Sequence, residues 1–153
     1  MMHRLAKSSM RVVQPLQQNN MLLAQMRYFA IIKKFTKTHE WIQYNSDSGL
    51  ARIGITDHAQ KELGDIVHVD MPKIGTKFEV SETLLSVESV KTAAEVYQMV
   101  HGEVVAVNEK LGDDSGLVNA SAEDEGWMVE IKVTDPKQLD KLLTKEQYDE
   151  IAH

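Results

Sequence analysis

Lys91 is the one lysine between Lys77 and Lys110, and it stands in the polar stretch Glu88-Ser89-Val90-Lys91-Thr92. Two runs with strand character flank that stretch, Leu84 to Val87 and Glu95 to Val100, and together they predict a hairpin with the lysine at its tip. A lysine at a hairpin tip projects away from the sheet as a solvated charge. Acylation would remove that charge and turn the side chain into the base of a swinging arm, the arrangement used by covalent group carriers. A surface hairpin with a lysine is common by itself, so the chemistry rests on what surrounds it.

Many short strands must build the frame that presents this tip. Trp41 to Tyr44 and Leu50 to Gly54 flank the turn-rich loop Asn45-Ser46-Asp47-Ser48-Gly49 and predict a first hairpin. Thr56-Asp57 caps a short helix that Gly64 stops, and Asp65 to Asp70 resumes strand character before Met71-Pro72. Gly75 marks a turn before a strand at Phe78-Glu79-Val80, and the central hairpin follows. Gly102 breaks the chain, and Glu103 to Asn108 is the next strand. Lys110 to Gly116 reads as a polar loop, with strands at Leu117-Val118 and at Trp127 to Val133. Pro136 opens a helical tail over Gln138 to Leu143, with a further turn or two over Lys145 to Ile151. Glycine-rich turns at this spacing indicate a mainly β sandwich or small barrel with helices at its edges.

Catalytic constellations are missing from the sequence. It has no glycine-rich phosphate loop, no nucleophile elbow, no cysteine and no pair of histidines at metal-binding spacing. His39-Glu40-Trp41 begins like a zinc-protease motif, but Gln43 stands where the second histidine belongs. His58, His68 and His101 are scattered singly and read as structural or solvent-facing, and Asp47 and Asp113-Asp114 as local turn formers. The body reads as a binding or carrier module.

The formal charge of -6 conceals a division of the chain. Residues 1–39 hold Arg4, Lys7, Arg11, Arg27, Lys33, Lys34 and Lys37 and no acid, leaving ten basic residues against all 23 acids beyond them. Arg4, Lys7 and Arg11 share one helical face, and Leu5, Val12 and Leu16 follow another. A basic, amphipathic, acid-free start is the pattern of a mitochondrial transit peptide, assigned here to residues 1–31, with cleavage expected between Arg27 and Lys34. The remaining residues, 32–153, form one domain. Its acidity opposes nucleic-acid binding, and no apolar run is long enough to span a membrane.

From about Phe35 to Ile151 the chain resembles the H proteins of the glycine cleavage system. The markers are His39-Glu40-Trp41, then Gly54-Ile55-Thr56-Asp57-His58-Ala59-Gln60, then Leu63-Gly64-Asp65-Ile66-Val67. Met71-Pro72 with Gly75, Glu88-Ser89-Val90-Lys91, Gly102-Glu103-Val104, Val107-Asn108, Asn119 and Gly126-Trp127-Met128 follow in the family's order. Lipoyl domains of the 2-oxo acid dehydrogenases usually present Asp-Lys-Ala and biotinyl domains Met-Lys-Met. The Val90-Lys91-Thr92 triplet matches neither. Three departures fall at strand ends: Gln98-Met99 replaces a common Ser-Pro pair, His101 a common serine, and a proline is replaced near Ala122.

The resemblance implies a lipoyl/biotinyl-type barrel-sandwich hybrid, with two small antiparallel sheets, short peripheral helices and a helical C-terminus. It implies lipoate carried as an amide on Lys91, with Glu88, Ser89 and Val90 as the hairpin that lipoylating enzymes recognise. Such a carrier, not itself an enzyme, takes an aminomethyl group from a pyridoxal-phosphate glycine decarboxylase to a tetrahydrofolate-dependent aminomethyltransferase. A flavin-dependent dihydrolipoyl dehydrogenase then reoxidises it. Thr38, Glu40 and Glu95 match the surface on which the family docks the loaded arm. A monomer in the mitochondrial matrix is expected. The alternatives are a lipoyl-relay role, another lipoylated or biotinylated carrier, and an unmodified paralogue.

Overall fold

The computed structural model describes residues 30–152. The expected transit segment, residues 1–31, lies outside the described residues except for its last two positions. The described chain forms two sheets. One has six strands in the order β1 (Ile31–Phe35), β2 (Glu40–Asn45), β3 (Leu50–Ile55), β9 (Val129–Val133), β8 (Gly102–Val107) and β5 (Lys77–Phe78). The other has three, β4 (Ile66–Asp70), β6 (Thr83–Ser89) and β7 (Ala93–Tyr97). The pairings β2–β3, β3–β9, β8–β9, β5–β8, β4–β6 and β6–β7 are all antiparallel, as the expected sandwich requires.

Alternation decides which faces meet. In β9, Val129, Ile131 and Val133 are buried while Glu130 and Lys132 point outward. Ile42, Ile53, Val87, Val96 and Val104 add to the same apolar core between the sheets. A smaller cluster, Phe35, Trp41 and Tyr148, ties β1 and β2 to the last helix. Trp41 stands opposite Gly54 across β2–β3, and a Cβ at Gly54 would lie 2.8 Å from the indole nitrogen. Only glycine leaves that ring room to donate to the Ala122 carbonyl at 3.0 Å.

Among the described residues, four α-helices and one 3₁₀-helix close the edges. α1 (Asp57–Leu63) is capped by Thr56, whose hydroxyl accepts from the Ala59 amide, and it stops at Gly64 with φ of 81°. That left-handed turn suits glycine alone. The tail is a 3₁₀-helix (Pro136–Lys141) followed by α4 (Lys145–Ile151), the second opened by a reciprocal Thr144–Gln147 capping box.

Several expectations need correction. Residues 110–118 are not a loop and a strand: they carry α2 (Lys110–Asp113) and α3 (Leu117–Ala120). A helical turn lets Val118 fill the core while Asn119, next in sequence, reaches back to the end of α1. The strand expected at Phe78 to Val80 is only Lys77–Phe78, since Glu79 turns back on Glu82. The second hairpin strand ends at Tyr97 instead of Val100. Gln98 and Met99 dive into the interior there, at one of the family departures. Gly102 begins β8 and does not interrupt it.

Candidate functional site

Lys91 is exposed in the turn between β6 and β7, and among the described residues its ammonium makes no ion pair or hydrogen bond. Its backbone is far from free. The Ser89 hydroxyl accepts from the Lys91 and Thr92 amides at 3.3 and 3.1 Å and donates to the Thr92 carbonyl at 3.1 Å. The Ser89 amide donates to that same carbonyl at 2.7 Å. One serine therefore closes the turn around the lysine from both sides, as short polar side chains do in such turns.

The tip is also latched to its neighbour. Val90, a residue 68% exposed, donates its amide to the Asp65 carbonyl at 3.0 Å. Asp65 lies between Gly64 and Ile66, both held by the Asn119 side chain, which accepts from the Ile66 amide and donates to the Gly64 carbonyl. The Ser115 hydroxyl adds a bond to the Ile66 carbonyl at 3.0 Å. The short helical turns over 110–120 thus position the hairpin tip from outside the hairpin. Glu88 is exposed at the end of β6, opposite Ala93.

A cleft of about 180 Å³ opens between α1 and the β6–β7 hairpin. Leu63, Val87 and Val96 supply apolar wall, and Thr38, Glu40 and Glu95 supply polar groups. All three arm-docking residues of the sequence reading therefore meet in one hollow. Glu95 stands in β7, two residues past its first residue Ala93, while Lys91 stands in the turn before it.

Glu40 is the unusual member, with 2% exposure. The hydroxyls of Thr36 and Thr38 both donate to its Oε2, and the Tyr97 amide reaches Oε1 at 3.4 Å. A buried carboxylate needs such donors, because an unpaired one is costly. Glu95 is exposed and accepts from the Tyr97 hydroxyl at 3.1 Å and from Thr83 at 3.4 Å. The hydrogen bond to that carboxylate, and then its negative charge, raise the Tyr97 phenol above the ordinary tyrosine value. The sequence reading missed Thr36 and Tyr97. The Thr36-x-Thr38-x-Glu40 spacing carried a signal for the first, whereas Tyr97 comes to Glu40 only through the packing of two sheets.

A second miss concerns the histidines. His58, read as a singly scattered histidine, is not alone: its ring meets that of His39 at a tilt of 35°, with centroids 4.5 Å apart. Main-chain φ at His39 is 71°, a conformation non-glycine residues seldom adopt. His39 Nδ1 lies 2.7 Å from the Tyr148 hydroxyl, which is in turn 2.7 Å from the Thr56 hydroxyl.

Comparison with known proteins places this arrangement. The family model described as glycine cleavage H-protein matches residues 33–153. A glycine cleavage system H protein of Thermotoga maritima is 44% identical over 121 residues, covering 79% of this chain and 96% of the relative. One from Geobacillus kaustophilus is 47% identical over 116 residues, covering 76% and 90%. The crystal structure of a glycine cleavage system H protein from Mycobacterium marinum superposes with a TM-score of 0.70 at 30% identity, covering 77% of this chain and 94% of that one. With a latched lysine hairpin, a polar cleft beside it and a family match over the whole described body, the chain belongs to the glycine cleavage H-protein family.

Proposed function

We propose that this protein is a carrier of glycine cleavage that bears lipoate as an amide on Lys91. The observation that carries the reading is an exposed, singly available lysine on a turn fixed by Ser89 and Asp65, beside a cleft that holds a buried carboxylate. The residues fit the group: the lysine nitrogen is open to acylation, and the cleft combines apolar wall with hydrogen-bonding groups at its far side. When bound, lipoate supplies a disulfide that accepts a one-carbon unit with reduction and is later reoxidised. The chain's task is to receive, shield and release the arm.

Glu40 and Glu95 provide negative charge for an arm that carries an amine, with Glu40 already desolvated and preorganised by two hydroxyls. Thr38 offers its hydroxyl at the rim. Glu88, Ser89 and Val90 present a fixed backbone shape and one exposed apolar side chain to the enzymes that attach lipoate. Successive partners are a pyridoxal-phosphate glycine decarboxylase, a tetrahydrofolate-dependent aminomethyltransferase and dihydrolipoyl dehydrogenase. The chain itself supplies no catalytic step. The acidic surface steers short-lived encounters with basic docking patches in a salt-dependent way. The basic, acid-free residues 1–31 direct it to the mitochondrial matrix, where it works as a monomer.

Intact and peptide mass spectrometry of the protein from its own cells tests the reading. A lipoyl-sized addition confined to the peptide containing Lys91, lost in Lys91→Arg, is expected. A bare Lys91 in cells that cleave glycine overturns it. The mature N-terminus in the same spectrum checks import, and uptake unaffected by deleting residues 1–30 overturns the targeting proposal.

A further inference from the structure

We infer that His39, His58 and Glu62 form a binding site for a divalent transition-metal ion, with zinc the best chemical match. One ligand atom from each of the three residues lies within 4.8 Å of the others, the group of this kind found among the described residues. His58 and Glu62 are one helical turn apart on α1, with Nε2 and Oε1 3.1 Å apart, so both face the same side. His39 arrives from the β1–β2 turn, and its left-handed backbone brings its ring against that of His58 at a tilt of 35°. Strained backbone of this kind collects where a side chain must be aimed.

The second sphere is already built. Tyr148 engages Nδ1 of His39, leaving Nε2 as the ligand nitrogen, and Thr56 holds the Tyr148 hydroxyl in turn. When Nδ1 donates to the phenol and the phenol donates to Thr56, Nε2 presents its lone pair. A metal-binding histidine characteristically has its other nitrogen fixed in this manner. Two imidazoles and one carboxylate are a ligand set for zinc, with copper and nickel as competitors, and a poor one for calcium or magnesium. Metal bonds of 2.0–2.2 Å impose ligand separations of about 3.3 Å. Rotation of Glu62, whose side chain is 66% exposed, and of half-buried His58 closes the remaining distance.

The cluster stands between two hollows. His39 and Glu62 line the arm cleft, while His58 and Glu62 line a second one with Tyr148 and Lys145. A fourth ligand, water or another small donor, has access from solvent at this position. The inference does not depend on Lys91 carrying an arm.

The test is a titration of the full chain bearing Lys91→Arg, so that no arm sulfur contributes a ligand, with zinc ion alone against a chromogenic chelator. Imidazole NMR resonances are followed in parallel. One equivalent is expected, with the His39 and His58 resonances moving together and those of His68 and His101 unmoved. His58→Asn and Glu62→Gln should each weaken binding at least tenfold, and Tyr148→Phe by about 10- to 100-fold through the second sphere. Glu62 is exposed enough that its variant keeps the fold, which far-UV circular dichroism verifies. Absence of saturable binding, movement of other histidines instead, or an unchanged affinity in either ligand variant overturns the inference.

Discussion

The Asn119 side-chain nitrogen donates to the Gly64 carbonyl at 2.9 Å while its oxygen accepts from the Ile66 amide at 2.9 Å. The same nitrogen also reaches Gln60 Oε1 at 2.9 Å. One amide thus brackets Asp65, whose carbonyl receives the Val90 amide at the lysine hairpin. Asn119→Ala is expected to cost about 1–3 kcal/mol, because partially buried backbone groups lose their partners. Chemical denaturation measures that loss. The rate of Lys91 lipoylation by a purified lipoylating enzyme should fall with it, even under conditions where the variant is fully folded. An unchanged rate would show that the hairpin holds its shape without the bracket.

Glu40 and Glu95 face one cleft but differ in burial, and their substitutions should differ accordingly. Glu40→Gln removes the desolvated charge, so the lifetime of the aminomethyl-loaded arm should shorten severalfold, read as faster ammonia release. Glu95→Gln, solvated and shared with Tyr97, should have the smaller effect. Equal lifetimes in wild type and Glu40→Gln would dismiss Glu40 from arm docking.

Gln98 is 1% exposed, and among the described residues its side-chain oxygen and nitrogen find no hydrogen-bond partner. Burying such an amide unsatisfied costs roughly 1–3 kcal/mol. Gln98→Met keeps the length and removes the polar atoms, so the variant should melt several degrees higher. A lower melting temperature would mean that the amide is satisfied in solution.

The Tyr148 phenol is raised above 10.0 chiefly by burial, with the Thr56 hydrogen bond pulling the other way. For a group whose folded value is raised, the stabilisation is complete below pH 10.0 and is lost as pH climbs through the folded value. Tyr148→Phe should therefore flatten the alkaline limb of a stability–pH curve above pH 10.0 while lowering stability at neutral pH through its lost hydrogen bonds. Tyr97, also raised but exposed, makes Tyr97→Phe the control with little change in that limb.

The last helix rests on its cap. Thr144 Oγ1 accepts from the Gln147 amide at 3.3 Å, and Gln147 Oε1 accepts from the Thr144 amide at 3.0 Å. Thr144→Ala should cost about 1 kcal/mol. Hydrogen exchange should quicken first at Gln147, whose amide loses its acceptor, and at Tyr148, whose amide bonds the Thr144 carbonyl.

Local signals carried most of the fold. The Asn45–Gly49 turn, the Thr56 cap, the Gly64 stop and the alternation of Val129, Ile131 and Val133 each decide an element within a few residues, and each is present as expected. Residues 110–118 failed because Leu117-Val118 is too short for periodicity to separate strand from helix, and the core decides it through Val118. The same holds for the site. Lys91 and its turn are contiguous, and the Thr38, Glu40 and Glu95 positions came with the family motifs. The Tyr97–Glu40 and His39–His58 contacts join residues 57 and 19 positions apart, and no local pattern announces them.

The doubly closed lysine turn has a consequence for how it is read. A hairpin of two strands alone is at best marginally stable in water. In the folded protein the conformational search is already over, so a modifying enzyme meets a finished shape and loses little entropy on engaging it. A free peptide spanning residues 84–97 would have to be ordered on the enzyme surface first. For the lipoylation proposed at Lys91, the folded domain is therefore expected to be modified faster than a free peptide carrying the same tip sequence.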